Sequence, residues 1–168
     1  IGRPHVPSEP LFDLDRPWEV GRMFCGYAAS VLRDPQTGIL RMYYAVDDSH
    51  ARNAALHEPG TSFLCIAESE DGLQWSKPEL GLYEFAGSNQ NNILYAYTHG
   101  EPEQPCQRLM GAIVDDPTEI DGDRRFKMFG DMVAADGRRG YCIMTSPDGL
   151  CWDSKPRFVT REGMDTFL

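Results

Sequence analysis

Ser69-Glu70-Asp71-Gly72-Leu73-Gln74-Trp75 and Ser146-Pro147-Asp148-Gly149-Leu150-Cys151-Trp152 are one heptapeptide written twice, S-x-D-G-L-x-W, 77 residues apart (69 to 146). Self-similarity at a long fixed spacing is the sequence signature of a repeat architecture. The match extends in both directions. Upstream, Phe63-Leu64-Cys65-Ile66-Ala67 faces Gly140-Tyr141-Cys142-Ile143-Met144, and downstream Ser76-Lys77-Pro78 faces Ser154-Lys155-Pro156 with one residue inserted. Farther upstream, Ala29-Ser30-Val31-Leu32-Arg33-Asp34-Pro35 pairs with Gly111-Ala112-Ile113-Val114-Asp115-Asp116-Pro117. Ile39-Leu40-Arg41-Met42-Tyr43-Tyr44 pairs with Arg125-Phe126-Lys127-Met128-Phe129-Gly130. The elements follow in the same order, so the chain holds two copies of one unit.

The heptapeptide has a physical reading. An aspartate accepts hydrogen bonds from backbone N–H groups two residues on, and a glycine supplies the positive φ of a tight turn. The serine hydroxyl closes the same loop, and the tryptophan packs back under the hairpin as an anchor. These are scaffold roles. Repetition at equivalent places argues against Asp71 or Asp148 as catalyst or ligand, because a ring of repeats has a single axial site.

Each copy reads as a run of strands. The first copy predicts strands over 27–32, 39–46 and 62–68 and a weaker fourth over 75–85, with an Asp-Pro-Gln-Thr-Gly turn at 34–38 and a long polar loop at 47–61. The second predicts 109–114, 125–132, 140–145 and 157–160. Helical periodicity is absent, so the class is all-β. Four antiparallel strands per repeat of this length predict β-propeller blades, with a β-sandwich as the alternative. The expected organisation is an extended segment at 1–21, a first blade at 22–97, a second at 98–161 and the start of a third at 162–168. Two blades cannot close a ring, which takes roughly four to eight. The chain is therefore expected to be a fragment of a longer protein, or to form a homo-oligomer through open blade edges.

Composition narrows the partners. The chain has 168 residues with 16 Lys and Arg against 26 Asp and Glu, a net charge of −10. That balance excludes nucleic acid and an anionic membrane surface as partners. No apolar run is long enough to span a membrane, and the N-terminus lacks the pattern of a signal peptide, so a soluble protein is expected with no compartment assigned. The five cysteines are odd in number and show no C-x-x-C spacing. Free thiols are expected, with Cys65 and Cys142 as small buried hydrophobes within strands.

The repeated element resembles the Asp-box of sialidases, one residue shorter. The fuller string S-E-D-G-L-Q-W-S-K-P-E-L-G-L at 69–82, followed by Asn91-Asn92-Ile93, is similar to strings in many uncharacterised bacterial members of the five-bladed propeller glycosidases, the relatives of levansucrase, invertase, arabinanase and mannoside phosphorylase. The resemblance covers most of 17–168 and rests on scaffold residues. It implies a carbohydrate partner and glycoside hydrolase-like chemistry, with one carboxyl as acid and another as base or nucleophile across the scissile bond. In such relatives these groups face a central funnel from the innermost strands. By position the catalytic candidates are Asp165, then Asp47 and Asp131, each ending or beginning a strand on the funnel side. Arg22, Tyr27, His50, Arg52 and Arg108 are the substrate-binding candidates, the arginines because a guanidinium grips a carboxylate or phosphate bidentately. Arg33-Asp34-Pro35 is similar to an invertase motif, but here the aspartate follows its strand and reads as a turn residue. The resemblance admits a Ca2+ at the funnel, as some relatives hold one, although no D-x-D-x-D-G loop is present; no other cofactor and no resident metal is expected. Two other functions fit the same scaffold: a non-catalytic sugar-binding propeller, in which aromatic faces stack on sugar rings, and a protein-interaction propeller.

Overall fold

The structure, a computed structural model, describes residues 8–19, 22–24, 30–47, 61–98, 111–153 and 155–161. Among them the chain is all-β, with only two three-residue 3-10 turns, Pro17–Glu19 and Gly122–Arg124. The first sheet comprises β1 (Arg22–Phe24), β2 (Ser30–Arg33), β3 (Leu40–Asp47), β4 (Thr61–Ser69) and β5 (Ile93–Thr98). β1 pairs with the end of β3 and β2 with its beginning, so both occupy one edge position and the sheet has four antiparallel rows, β1/β2-β3-β4-β5. The second sheet is the antiparallel meander β6 (Gly111–Asp115), β7 (Phe126–Val133), β8 (Arg139–Ser146) and β9 (Arg157–Thr160).

Four rows per repeat are thus present, but the fourth row of the first repeat is not at 75–85. That segment makes only isolated bridges, Glu68 to Ser76 and Phe85 to Ser88. Pro78 has no N–H to give a ladder, and Gly81, Ala86 and Gly87 take φ values of +71°, +50° and +81° that interrupt an extended chain. The fourth row is Ile93–Thr98, led in by Asn91, whose side chain donates to Tyr83 O at 2.8 Å and accepts from Ile93 N at 3.0 Å.

The two sheets stack face on face, and the faces in contact are not equivalent ones. Tyr43, Leu64, Ile66 and Leu94 of the first sheet meet Ile113, Met128, Met132, Cys142 and Met144 of the second in one apolar core. Aligning the copies, Met42, Val46, Cys65 and Ala67 are the mates of Met128, Met132, Cys142 and Met144. Those mates lie on the opposite face of the first sheet, in a second core with Trp18, Tyr44, Phe63, Phe85 and Ile93. β4 is consequently buried on both sides, every residue but Glu68, which explains why it reads as a nearly continuous apolar run. A polar contact also crosses between the sheets, from Ile113 N to Ser30 Oγ at 2.9 Å.

Residues 8–19 and the 75–85 segment close the outer face of the first sheet, with Trp18 edge-on to Phe85 and Phe12 edge-on to Tyr44. Cys65 and Cys142 are buried free thiols in mid-strand and Cys151 is an exposed free thiol; Cys25 and Cys106 lie outside the described residues. No helix among the described residues is long and apolar enough to cross a membrane.

Candidate functional site

The two heptapeptide turns are closed on themselves. Asp71 Oδ1 accepts from Leu73 N (2.8 Å), Gln74 N (2.9 Å) and Ser69 Oγ (3.1 Å), while Gly72 N donates to Ser69 Oγ and Trp75 Nε1 to Gly72 O. Asp148, Ser146, Gly149 and Trp152 repeat every one of these bonds, none differing by more than 0.1 Å. The Gln74 and Leu73 N–H groups hold the Asp71 carboxyl below its ordinary value. Burial opposes the same shift at Asp148, but the Cys151 and Leu150 N–H bonds outweigh it. Both carboxylates are spent on turn geometry, as their repetition implies.

Chemistry-bearing residues gather at the other end of the first sheet. Asp47, the last residue of β3, lies in register between Arg22 of β1 and Ser62 of β4, and Ser62 lies opposite Tyr97 of β5. One transverse row thus runs Arg22, Asp47, Ser62, Tyr97. Antiparallel partners directly opposite each other are nearest neighbours across a sheet. Asp131 stands two residues before the end of β7, opposite Tyr141. Pairing Met42 with Met128 makes Asp131 the mate of Ala45 and Val133 the mate of Asp47. The two aspartates are therefore at different levels of their repeats. Tyr27, His50, Arg52, Arg108 and Asp165 lie outside the described residues.

Six further acids are engaged in turns and ion pairs. Asp34 Oδ1 accepts from Gln36 N and Thr37 N, and Arg41 lies between Asp34 (3.3 Å) and Glu68 (3.0 Å). Arg125 grips Asp115 with two bonds of 2.7 and 2.8 Å. Lys127 bridges Asp116 (2.6 Å) and Glu119 (3.1 Å). Asp136 pairs with Arg138, whose guanidinium lies 4.2 Å from the Phe158 ring centroid. No group of three metal-ligating side chains occurs among the described residues.

Sequence reasoning passed over the most deeply buried carboxylate among the described residues. Glu19 is 2% exposed and accepts from Tyr44 Oη (2.5 Å), Lys77 Nζ (2.7 Å) and Arg16 N (2.9 Å). Asn92 joins the cluster, donating to Tyr44 Oη and Ile66 O and accepting from Trp18 Nε1. Lys77 also donates to Asp13 O and Asp15 Oδ1, both at 2.6 Å. Burial pushes the Tyr44 phenol and the Cys65 thiol well above their ordinary values, so neither ionises near neutrality. This closed network latches residues 13–19 to the sheet. Beside it opens a cleft of about 360 Å³ walled by Phe12, Asp15, Arg16, Trp75 and Lys77. No family model, no curated protein and no solved structure matches this chain.

Proposed function

We propose that the two sheets are consecutive blades of a propeller and that the protein is carbohydrate-active and glycoside hydrolase-like, with sugar bound at the sheet end that carries Asp47. The blade reading is supported by the stacking. A face of the first sheet meets the non-equivalent face of the second, which is head-to-tail contact, and head-to-tail contacts generate rings when the rotation closes. A sandwich of two like sheets about a two-fold axis would bring equivalent faces together.

The observation that carries the functional reading is the transverse row Arg22, Asp47, Ser62, Tyr97. By register it sets an arginine, an aspartate, a serine and a tyrosine at one level of the sheet, residue types that hold sugar hydroxyls and stack on sugar rings. Asp47 is the carboxylate of this chain assigned to the reaction, and its acid partner comes from another repeat, since two carboxyl groups must flank the bond. The 168-residue chain should therefore bind oligosaccharide without turning over aryl glycosides. The test is calorimetric titration with a panel of neutral and acidic oligosaccharides, together with an aryl-glycoside assay. Asp47→Asn should weaken binding by about tenfold, the equivalent of one lost charge-assisted bond. Absence of binding across the panel, or binding indifferent to Asp47→Asn, overturns the reading.

The cleft beside Trp75 favours a second reading, a non-catalytic sugar platform, because aromatic rings there adjoin the exposed Asp15 and Arg16. Binding lost in Asp15→Ala but kept in Asp47→Asn would select it.

A further inference from the structure

Six cations of this acidic chain are committed among the described residues. Arg16, Arg41, Lys77, Arg125, Lys127 and Arg138 are each held by a carboxylate. Arg124, Lys155 and Arg157 form no ion pair with any described residue, and all three line one cavity of about 560 Å³ on the second sheet. They arrive from two pieces of chain: Arg124 from the Gly122–Arg124 turn, and Lys155 and Arg157 from the approach to β9 and its first residue. Thr145 of β8 adds a hydroxyl, which Arg157 Nη2 approaches only at 3.5 Å. Arg124 Nε is buried with no hydrogen-bond partner. No carboxylate of the described residues engages this guanidinium, and the charge-assisted bonds it can make to an oxyanion are strong ones.

Asp123 and Asp153 also line the cavity, leaving one net positive charge. Asp153 Oδ1 is engaged by Lys155 N at 2.9 Å in a local turn. Donors therefore outnumber free acceptors around the cavity. We propose that this cavity binds a single tetrahedral oxyanion, phosphate or sulfate, either free or as a monoester. The proposal is independent of the sugar reading, which concerns the other sheet.

The test is a two-dimensional amide NMR titration of the full chain with inorganic phosphate, sulfate, glucose 6-phosphate and, as a planar control, acetate. Expected are saturable shifts confined to residues 123, 124, 145, 153, 155 and 157, caused by the tetrahedral ions and not by acetate. Arg124→Gln should weaken phosphate binding about tenfold, as loss of one charge-assisted contact implies. Arg33→Gln, whose side chain only meets Gly38 O, should leave it unchanged. If Arg124→Gln unfolds, the exposed Lys155→Gln takes its place with the same expectation. Tighter binding of glucose 6-phosphate than of phosphate assigns an ester ligand, and equal binding assigns the free ion. Linear shifts without saturation, shifts spread over all cationic segments, or affinity unaltered in both variants overturn the proposal.

Discussion

The two repeats share a hairpin to within a tenth of an ångström, yet their sheets live in different surroundings. The first sheet is buried on both faces, one by the second sheet and one by residues 8–19 with the 75–85 segment. Among the described residues the apolar core of the second sheet lies on the face that meets the first; on its other side Val114 and Val159 are 49% and 50% exposed, and Phe129 stacks on Tyr141 at 5.3 Å. Substitutions follow this division. Tyr44, which reaches Glu19, is replaced by Gly130 in the second copy, and Phe63 by Gly140. At Gly140 the cause is the neighbouring strand, since a Cβ there would run into the β9 backbone at Thr160, whereas the face covered by an irregular segment keeps long side chains that fill the space and hold the segment. The turn is a local device set by its own hydrogen bonds, and the faces are set by what packs on them.

The sharpest break between the copies is a pair of lysines in the Ser-Lys-Pro string. Lys77 has an 8% exposed side chain bonded to Glu19 and Asp15, while its mate Lys155 is exposed and unpaired. Removing one partner of a buried pair costs about 3–5 kcal/mol, because it strands the other charge. Lys77→Ala should approach that loss in urea unfolding, and the freed N-terminal segment should expose Trp18 and shift tryptophan fluorescence to the red. Lys155→Ala should fall within about 0.5 kcal/mol of the parent. Equal losses would dissolve the distinction between latched and unlatched repeats.

The turn glycines divide along the same line with a smaller effect. Gly72 and Gly149 have φ values of +76° and +75°, so alanine is strained equally at both. A Cβ at Gly72 meets Leu40 Cδ1 at 3.3 Å, and one at Gly149 meets Phe126, the repeat mate of Leu40, also at 3.3 Å. Only at Gly149 does a residue of the other sheet intrude, since the Cβ would fall far inside contact distance of Tyr43 Oη. Gly72→Ala should cost about 1 kcal/mol from backbone strain, and Gly149→Ala about 2–3 kcal/mol once the sheet contact is added. Tyr43→Phe should recover much of the difference in the Gly149→Ala background. The Tyr43 hydroxyl is buried without a partner, burial pushes its pKa up to about 12, and the second copy already carries Phe129 there. A deficit that Tyr43→Phe leaves untouched would mean that the two turns differ in something other than sheet contact.

Much of the fold was legible because its decisive bonds are local. Ser, Asp, Gly and Trp at fixed spacing close a turn wherever they occur, and the alternation around Cys65 and Cys142 places both in strands. The fourth row was less legible. Leu80, Leu82, Tyr83 and Phe85 suggest a strand by composition, but Pro78 and Gly81 divert the chain, and the residues that pair come only after the Asn91-Asn92 lead-in. The site was legible only in part. Position along the strands singles out Asp47 and Arg22, which the register brings together. Asp131 reads as its counterpart until the copies are aligned residue by residue. Glu19 carries little local signal, since of its side-chain partners only Arg16 N is near in sequence while Tyr44 and Lys77 lie 25 and 58 residues away. A buried charge is defined by what reaches it.

The subtlest comparison is electrostatic. Asp34 and Asp116 are repeat mates, as are Arg41 and Lys127, and both carboxyls titrate below the ordinary aspartate value. The causes differ. Asp116 is brought to about 2 chiefly by Lys127, then by the Thr118 hydroxyl. Asp34 is lowered chiefly by the Thr37 and Gln36 N–H groups, with Arg41 a lesser influence. A carboxyl whose folded pKa is lowered contributes stability that is present above its unfolded value, near 3.8, and is lost as pH falls toward the folded one. For Asp116 that window runs from about pH 4 down to about 2. Lys127→Met should therefore raise the Asp116 pKa toward 3.8, read by carboxyl NMR, and flatten the fall of stability in that window. Arg41→Met should leave the Asp34 pKa nearly in place, because the turn amides that set it remain. If Asp34 rises as far as Asp116 does, the side-chain cation governs both copies, and the turns are less self-sufficient than their hydrogen bonds imply.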